Sequence, residues 1–128
     1  HRLASLPRFP IKEVEHEPFI SLLETSDHDA RRALEAAGVT PNIRYTTKDD
    51  YAIIAMVEQG LGVSIMPELL LSGRSDNVRV MELTPPASRT IGLCLPDADR
   101  AGPATLRFAD CVSDWVREHY SRLQNTLS

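Results

Sequence analysis

Thr46, Thr47 and Lys48 put two hydroxyls and an ammonium in a row, directly ahead of a segment from Tyr51 to Val57 that contains no charged residue. If a helix begins at Lys48, its first backbone N–H groups have no partner within the helix, and the positive end of its dipole faces the same place. Free amides, hydroxyls and an ammonium converging on one point make an anion or carboxylate site from ordinary parts. The same parts also make a capped helix end that binds nothing, which composition alone favours. Both readings stand at this stage.

Other chemistries lack a constellation. Asp49 and Asp50 are adjacent, so on a helix their side chains point about 100° apart. Asp50 is also explained as the residue that returns to the backbone of a Thr47 cap. His16, His28 and His119 are widely separated in charged or amphipathic settings. Cys94 and Cys111 have no histidine or third cysteine near them at a metal-ligand spacing, and they read as free, buried thiols of a cytosolic protein. Ser64 sits between Val63 and Ile65 with no nucleophile elbow around it, so its hydroxyl is expected to bond locally. Gly60 and Gly62 lead into a strand pattern, whereas a phosphate-binding turn must lead into a helix. No catalytic residue, metal ligand or cofactor is expected.

The elements that must position Thr46 to Lys48 follow from pattern. A short helical turn near Ile11 to His16 precedes a strand that begins at Pro18 and runs through Leu23. Asp27 can cap a helix of good formers from Ala30 to Ala37, with Gly38 as its left-handed stop and Arg31, Arg32 and Glu35 solvated. "TPNIRYTT" is a strand with Pro41 at its start. The apolar helix from Lys48 must be covered over most of its circumference and ends at Gly60. Leu61 to Met66, too short for a helix, reads as a strand buried on both faces. Pro67 starts a short helix through Leu71, "VRVMEL" from Val78 is a strand, and "TIGLCLP" from Thr90 is a further buried strand. Pro96 to Pro103 is a loop. A last helix carries an apolar stripe at Phe108, Val112, Trp115, Val116, His119 and Leu123, and it must dock on something. Strands alternating with helices predict α/β with a mostly parallel sheet flanked by helices.

With 128 residues, one domain fits, able to bury roughly two-thirds of its unfolded surface. A net charge of -4 offers nucleic acid no overall attraction. No apolar run approaches the roughly 20 residues of a membrane span, and a cytoplasmic protein is expected.

In this order the motifs resemble the effector-binding region of LysR-type transcriptional regulators. That family's second subdomain carries an "HPLA" opening, a strand after a short helix, a hydroxyl-rich turn before a helix, and "V..GLG(V/I)...P". The matching pieces are His1 to Ala4, Pro18 to Leu23, Thr46-Thr47, and Val57 with Gly60-Leu61-Gly62-Val63 and Pro67. Arg2 stands where the family usually has proline, which is expected to affect only the opening turn. The resemblance implies a periplasmic-binding-protein-like (type 2) fold, truncated: residues 1–83 as the second effector-binding subdomain, and 84–128 as the returning strand and C-terminal helix of the first. The first residue is histidine, and the chain is expected to be a fragment whose DNA-binding domain and most of whose first subdomain lie outside it.

By the same resemblance Thr46, Thr47 and Lys48 face a cleft, with Leu23, Glu24 and Thr25 as a neighbouring wall. The implied effector is a small carboxylate or amino-acid-like metabolite. DNA is reached only through the absent N-terminal domain, and a homo-oligomer forms through the small-residue helix at Asp27 to Ala37. A solute-binding protein of a transport system is the alternative from another class. A catalytic relative of the prephenate-dehydratase kind is a third.

Overall fold

The computed structural model describes residues 1–23, 28–71, 77–95, 97 and 99–126, with side chains to residue 119. Its centre is a strand that begins where Pro18 ends the preceding turn. This strand, Phe19–Leu22, follows a 3₁₀ turn over Ile11–Glu15. We label it β2, because Phe9–Pro10 forms β1. Helix α1, His28–Ala36, then leads to β3, Ile43–Thr47, which pairs parallel with β2. The register slips once, Phe19 facing Ile43 but Ile20 facing Tyr45, which leaves Arg44 as an extra residue on β3. Helix α2, Asp50–Glu58, returns the chain to the other side of β2, where Val63 bridges to Phe19 in the parallel sense. Helix α3, Glu68–Leu71, and β4, Leu83–Thr84, follow, and β4 pairs parallel with β1. Every strand pairing among the described residues is parallel, as the alternation of elements predicts.

Side-chain alternation along β2 divides the core. Phe19 packs with Ile11, Val14, Leu34 and Val39 in a buried cluster, joined at its rim by Phe9, Val63 and Leu83. Ile20 turns the opposite way and is fully buried as well; α2, which lies against β2 and β3, buries Ile53 and Ile54. α1 reaches the first cluster through Leu34 and Ala33 while Arg31, Arg32 and Glu35 stay exposed, the amphipathic division expected of it. Gly38 and Gly60 take positive φ of 65° and 75° where the two helices stop.

Arg2 does more than shape the opening turn. Its Nε donates to Glu17 Oε1 at 2.7 Å, its Nη2 donates to Glu13, and His1 Nε2 lies 3.2 Å from the other oxygen of the buried Glu17. The bonds to Glu13 and then Glu17 hold the guanidinium above its ordinary range.

Several expected elements do not form. Leu61 to Met66 makes only the bridge at Val63, and its residues are half-buried or exposed; Val63 exchanges backbone bonds with Pro18 and Ile20 beside β2, but the Ile20 carbonyl accepts from the Ser64 hydroxyl and the ladder goes no further among the described residues. "VRVMEL" contributes only Leu83 to a strand, and Val80 is exposed. "TIGLCLP" has no strand among its described residues, and Ile91 and Leu93 are exposed. Strand propensity without a neighbouring edge does not make a strand. α2 is covered on one side only, with Tyr51 and Ala55 exposed. Both thiols, expected buried, are free and exposed. The expected Asp27 cap lies outside the described residues.

Two compact units make up the chain, His1–Arg89 and Thr90–Ser128. The second is built on α4, Pro103–Thr126, which Pro103 opens as expected. Phe108, Trp115 and Val116 of its stripe are exposed, Val112 and His119 are half-buried, and the side chain of Leu123 lies outside those described. The Trp115 and His119 rings stack at 4.0 Å.

Candidate functional site

Because β2 and β3 are parallel neighbours, their carboxyl ends finish at one edge. Leu22 faces Thr47, and the next amide, Leu23 N–H, donates to the Thr47 carbonyl at 2.8 Å. From there the chain departs in two directions. The crossover through α1 moves outward to β3, and the crossover through α2 moves back across β2 to Val63. In open parallel sheets, right-handed crossovers in opposite directions send their helices to opposite faces, and ligands bind in the crevice outside the strand ends between them.

Leu23, Thr46, Thr47 and Lys48 are therefore together at this edge. Thr46, Lys48 and Leu23 are exposed and Thr47 is half-buried. Glu24 and Thr25 lie outside the described residues. One detail of the expectation is overturned: Thr47 is not the cap of α2, and Lys48 is not in the helix. Thr47 remains in β3, held by its pairing with Leu22, so the helix starts two residues later. Asp49 caps it from an extended conformation, its Oδ1 accepting from Tyr51 N–H at 2.8 Å. Thr47 Oγ1 instead accepts from Asp49 N–H at 3.2 Å and shapes the turn. Asp50 is a first-turn residue, not the returning partner of a capping box. Asp ranks above Thr as an N-cap, and that preference was the available signal.

A cavity of about 270 Å³ opens at the same end of the sheet. Leu22, Ile53, Ile65 and Leu70 supply apolar wall, and Asp29, Asp50 and Arg89 supply the charge. Arg89 Nη1 donates to Asp29 Oδ2, a contact between the first turn of α1 and the last residue of the first unit. Reasoning from sequence did not find these three. Asp29 and Arg89 lie far apart along the chain in segments with no motif, and only the fold joins them. Thr46, Thr47 and Lys48 do not line this cavity. A second cavity of similar volume lies along α1 between Ser21, Leu34 and Ile43, where Arg31 and Glu35 already pair at 3.8 Å.

The edge offers recognition groups rather than reacting ones. Ser64, expected to bond locally, donates its hydroxyl to the Ile20 carbonyl at 2.8 Å and ties the Val63 segment to β2. Among the described residues no group of three histidine, cysteine or acidic side chains could hold a metal ion, and no helix is long and apolar enough to cross a membrane.

A family model described as the LysR substrate binding domain matches residues 1–117. Over 116 residues the chain is 28% identical to YvbU of Bacillus subtilis (strain 168), described as an uncharacterized HTH-type transcriptional regulator; the match covers 89% of this chain and 40% of that protein. The chain thus spans well under half the length of this curated relative. Among solved structures it is similar to HinK, a LysR family transcriptional regulator from Pseudomonas aeruginosa, with a TM-score of 0.45 and 30% identity over 52% of this chain and 24% of that one.

Proposed function

The chain belongs to the LysR substrate binding domain family, and from that premise we propose that the carboxyl edge of β2 and β3 holds the small-molecule effector of a transcriptional regulator. The family is one of regulator domains and not of enzymes. In this reading the effector is a small carboxylate or amino-acid-like metabolite. The hydroxyls of Thr46 and Thr47 hydrogen-bond its carboxylate, Lys48 adds charge, and Leu23 forms the adjoining wall.

One observation carries the reading. The parallel pairing of Ile20 to Leu22 with Tyr45 to Thr47, which ends with Leu23 N–H on the Thr47 carbonyl, sets these residues side by side, at the point where the two crossovers diverge. Thr47 has one lone pair engaged by Asp49 N–H, and its O–H can still donate. Thr46 is exposed at the same level.

The whole protein, on this account, acts in the cytoplasm as a homo-oligomer and reaches DNA through a part outside this chain. Effector binding shifts its conformational equilibrium only as far as the effector's affinities for the two arrangements differ. The matched relatives are regulators, so the transport alternative draws no support from them.

Thr46→Ala is the cleaner test, because Thr47→Val also removes the turn contact to Asp49. Small carboxylates are screened against the chain by thermal shift, and any binder is then measured on the variant. Losing a hydrogen bond to a charged group lowers affinity about tenfold or more. In the intact regulator DNA affinity stays as it was. Unchanged effector affinity alongside lost DNA binding contradicts the proposal.

A further inference from the structure

Among the described residues, two of the three charged side chains on the cavity at the strand ends are spent on each other. Arg89 donates to Asp29, and that ion pair presents no net charge to a ligand. Asp50 is different. Asp49 already supplies the cap of α2, so Asp50 is not needed for it, and among the described residues no hydrogen bond or ion pair reaches the Asp50 carboxylate. It is half-buried beside Ile53, Ile65 and Leu70. The first turn of α2 favours the charged form of Asp50, and a charged carboxylate beside apolar wall is completed by a cation that brings its own hydrogen-bond donors. The volume of about 270 Å³ suits a molecule of metabolite size.

From these features we infer that the cavity takes a small amine, its ammonium on Asp50 and its hydrocarbon body on Ile53, Ile65 and Leu70. The inference rests on the reading that the effector lies at this edge, and it specifies a cationic nitrogen on that effector. An amino acid with an apolar side chain satisfies both.

Three probes of related skeleton separate the contributions: leucine, 3-methylbutylamine, which lacks the carboxylate, and 4-methylpentanoate, which lacks the amine. Each is titrated into the 128-residue chain by calorimetry. Leucine and 3-methylbutylamine bind, and 4-methylpentanoate binds about tenfold more weakly than leucine. Asp50→Asn lowers leucine affinity about tenfold and erases the preference over the acid, while the far-UV circular dichroism and melting temperature stay in place; Asp50→Glu restores part of the preference. The inference is overturned if the acid binds as tightly as the amines, if Asp50→Asn keeps full affinity, or if none of the three binds. Acid binding that falls in Thr46→Ala and survives Asp50→Asn keeps the strand-edge site and removes the amine cavity. Leucine binding that falls in Asp50→Asn and ignores Thr46→Ala does the reverse.

Discussion

Glycine stands at positions 60 and 62 for two different reasons. Gly60 has φ of 75° with open space where a Cβ would stand, so its cost on substitution is conformational, about 1–2 kcal/mol for alanine. Gly62 has an ordinary φ, but a Cβ there would run into the carbonyl of Pro18, the same carbonyl that accepts from Val63 N–H at 2.9 Å. Crowding of that kind costs about 1–3 kcal/mol. Asparagine tolerates the left-handed region, so Gly60→Asn recovers stability relative to Gly60→Ala, whereas Gly62→Asn recovers none over Gly62→Ala; urea denaturation of the four variants reads this directly, and equal recovery at both sites sinks the distinction. The cap gives a second test: Asp49→Ala costs about 1 kcal/mol and Asp49→Asn much less, whereas a cap at Thr47 makes Asp49→Ala silent. Gly60 was legible because it closes an apolar helix, a local signal. The pressure on Gly62 comes from a distant residue and is invisible until β2 lies alongside.

β2 organises the elements around it, with the phenylalanine and isoleucine at its start buried on opposite faces. Leu34 is α1's main contribution to the first cluster, and Leu34→Ala costs about 2–5 kcal/mol. Phe108→Ala, on an exposed part of α4, stays within about 0.5 kcal/mol in the isolated chain. Thermal melts of the pair check this, and a large loss for Phe108→Ala means the face is covered. α1 and α2 were readable because a glycine closes each, at Gly38 and Gly60, and β2 and β3 because a proline stands ahead of each, at Pro18 and Pro41. Val78 to Leu83 and Thr90 to Leu95 have the composition of strands, but a ladder needs a partner edge and only Leu83 finds one among the described residues; Leu61 to Met66, a short apolar run, lies against β2 and bridges it at Val63 alone. The strand-end residues Leu23 and Thr46 to Lys48 were located through the resemblance and the turn chemistry together. Asp29, Asp50 and Arg89 were not, because no spacing in the sequence brings α1, α2 and the segment after β4 to one cavity.

The family match covers residues 1–117, and the chain spans 40% of its curated relative's length; on the proposed reading, in which the chain is part of a longer regulator, the exposed face of α4 meets further protein there. Trp115 is the only tryptophan and is exposed, which makes it a clean reporter. Acrylamide quenches its fluorescence strongly in the 128-residue chain and weakly in the full-length regulator; equal quenching in both leaves that face solvated. The claim on which the functional account depends is that the effector meets the carboxyl ends of β2 and β3. The direct measurement is a nitrogen-15 NMR titration of this chain with whichever small carboxylate or amino acid raises its melting temperature. The account predicts that the amide signals of Leu23, Thr46, Thr47 and Lys48 move first and furthest. Shifts that saturate elsewhere, with these four amides still in place, contradict it.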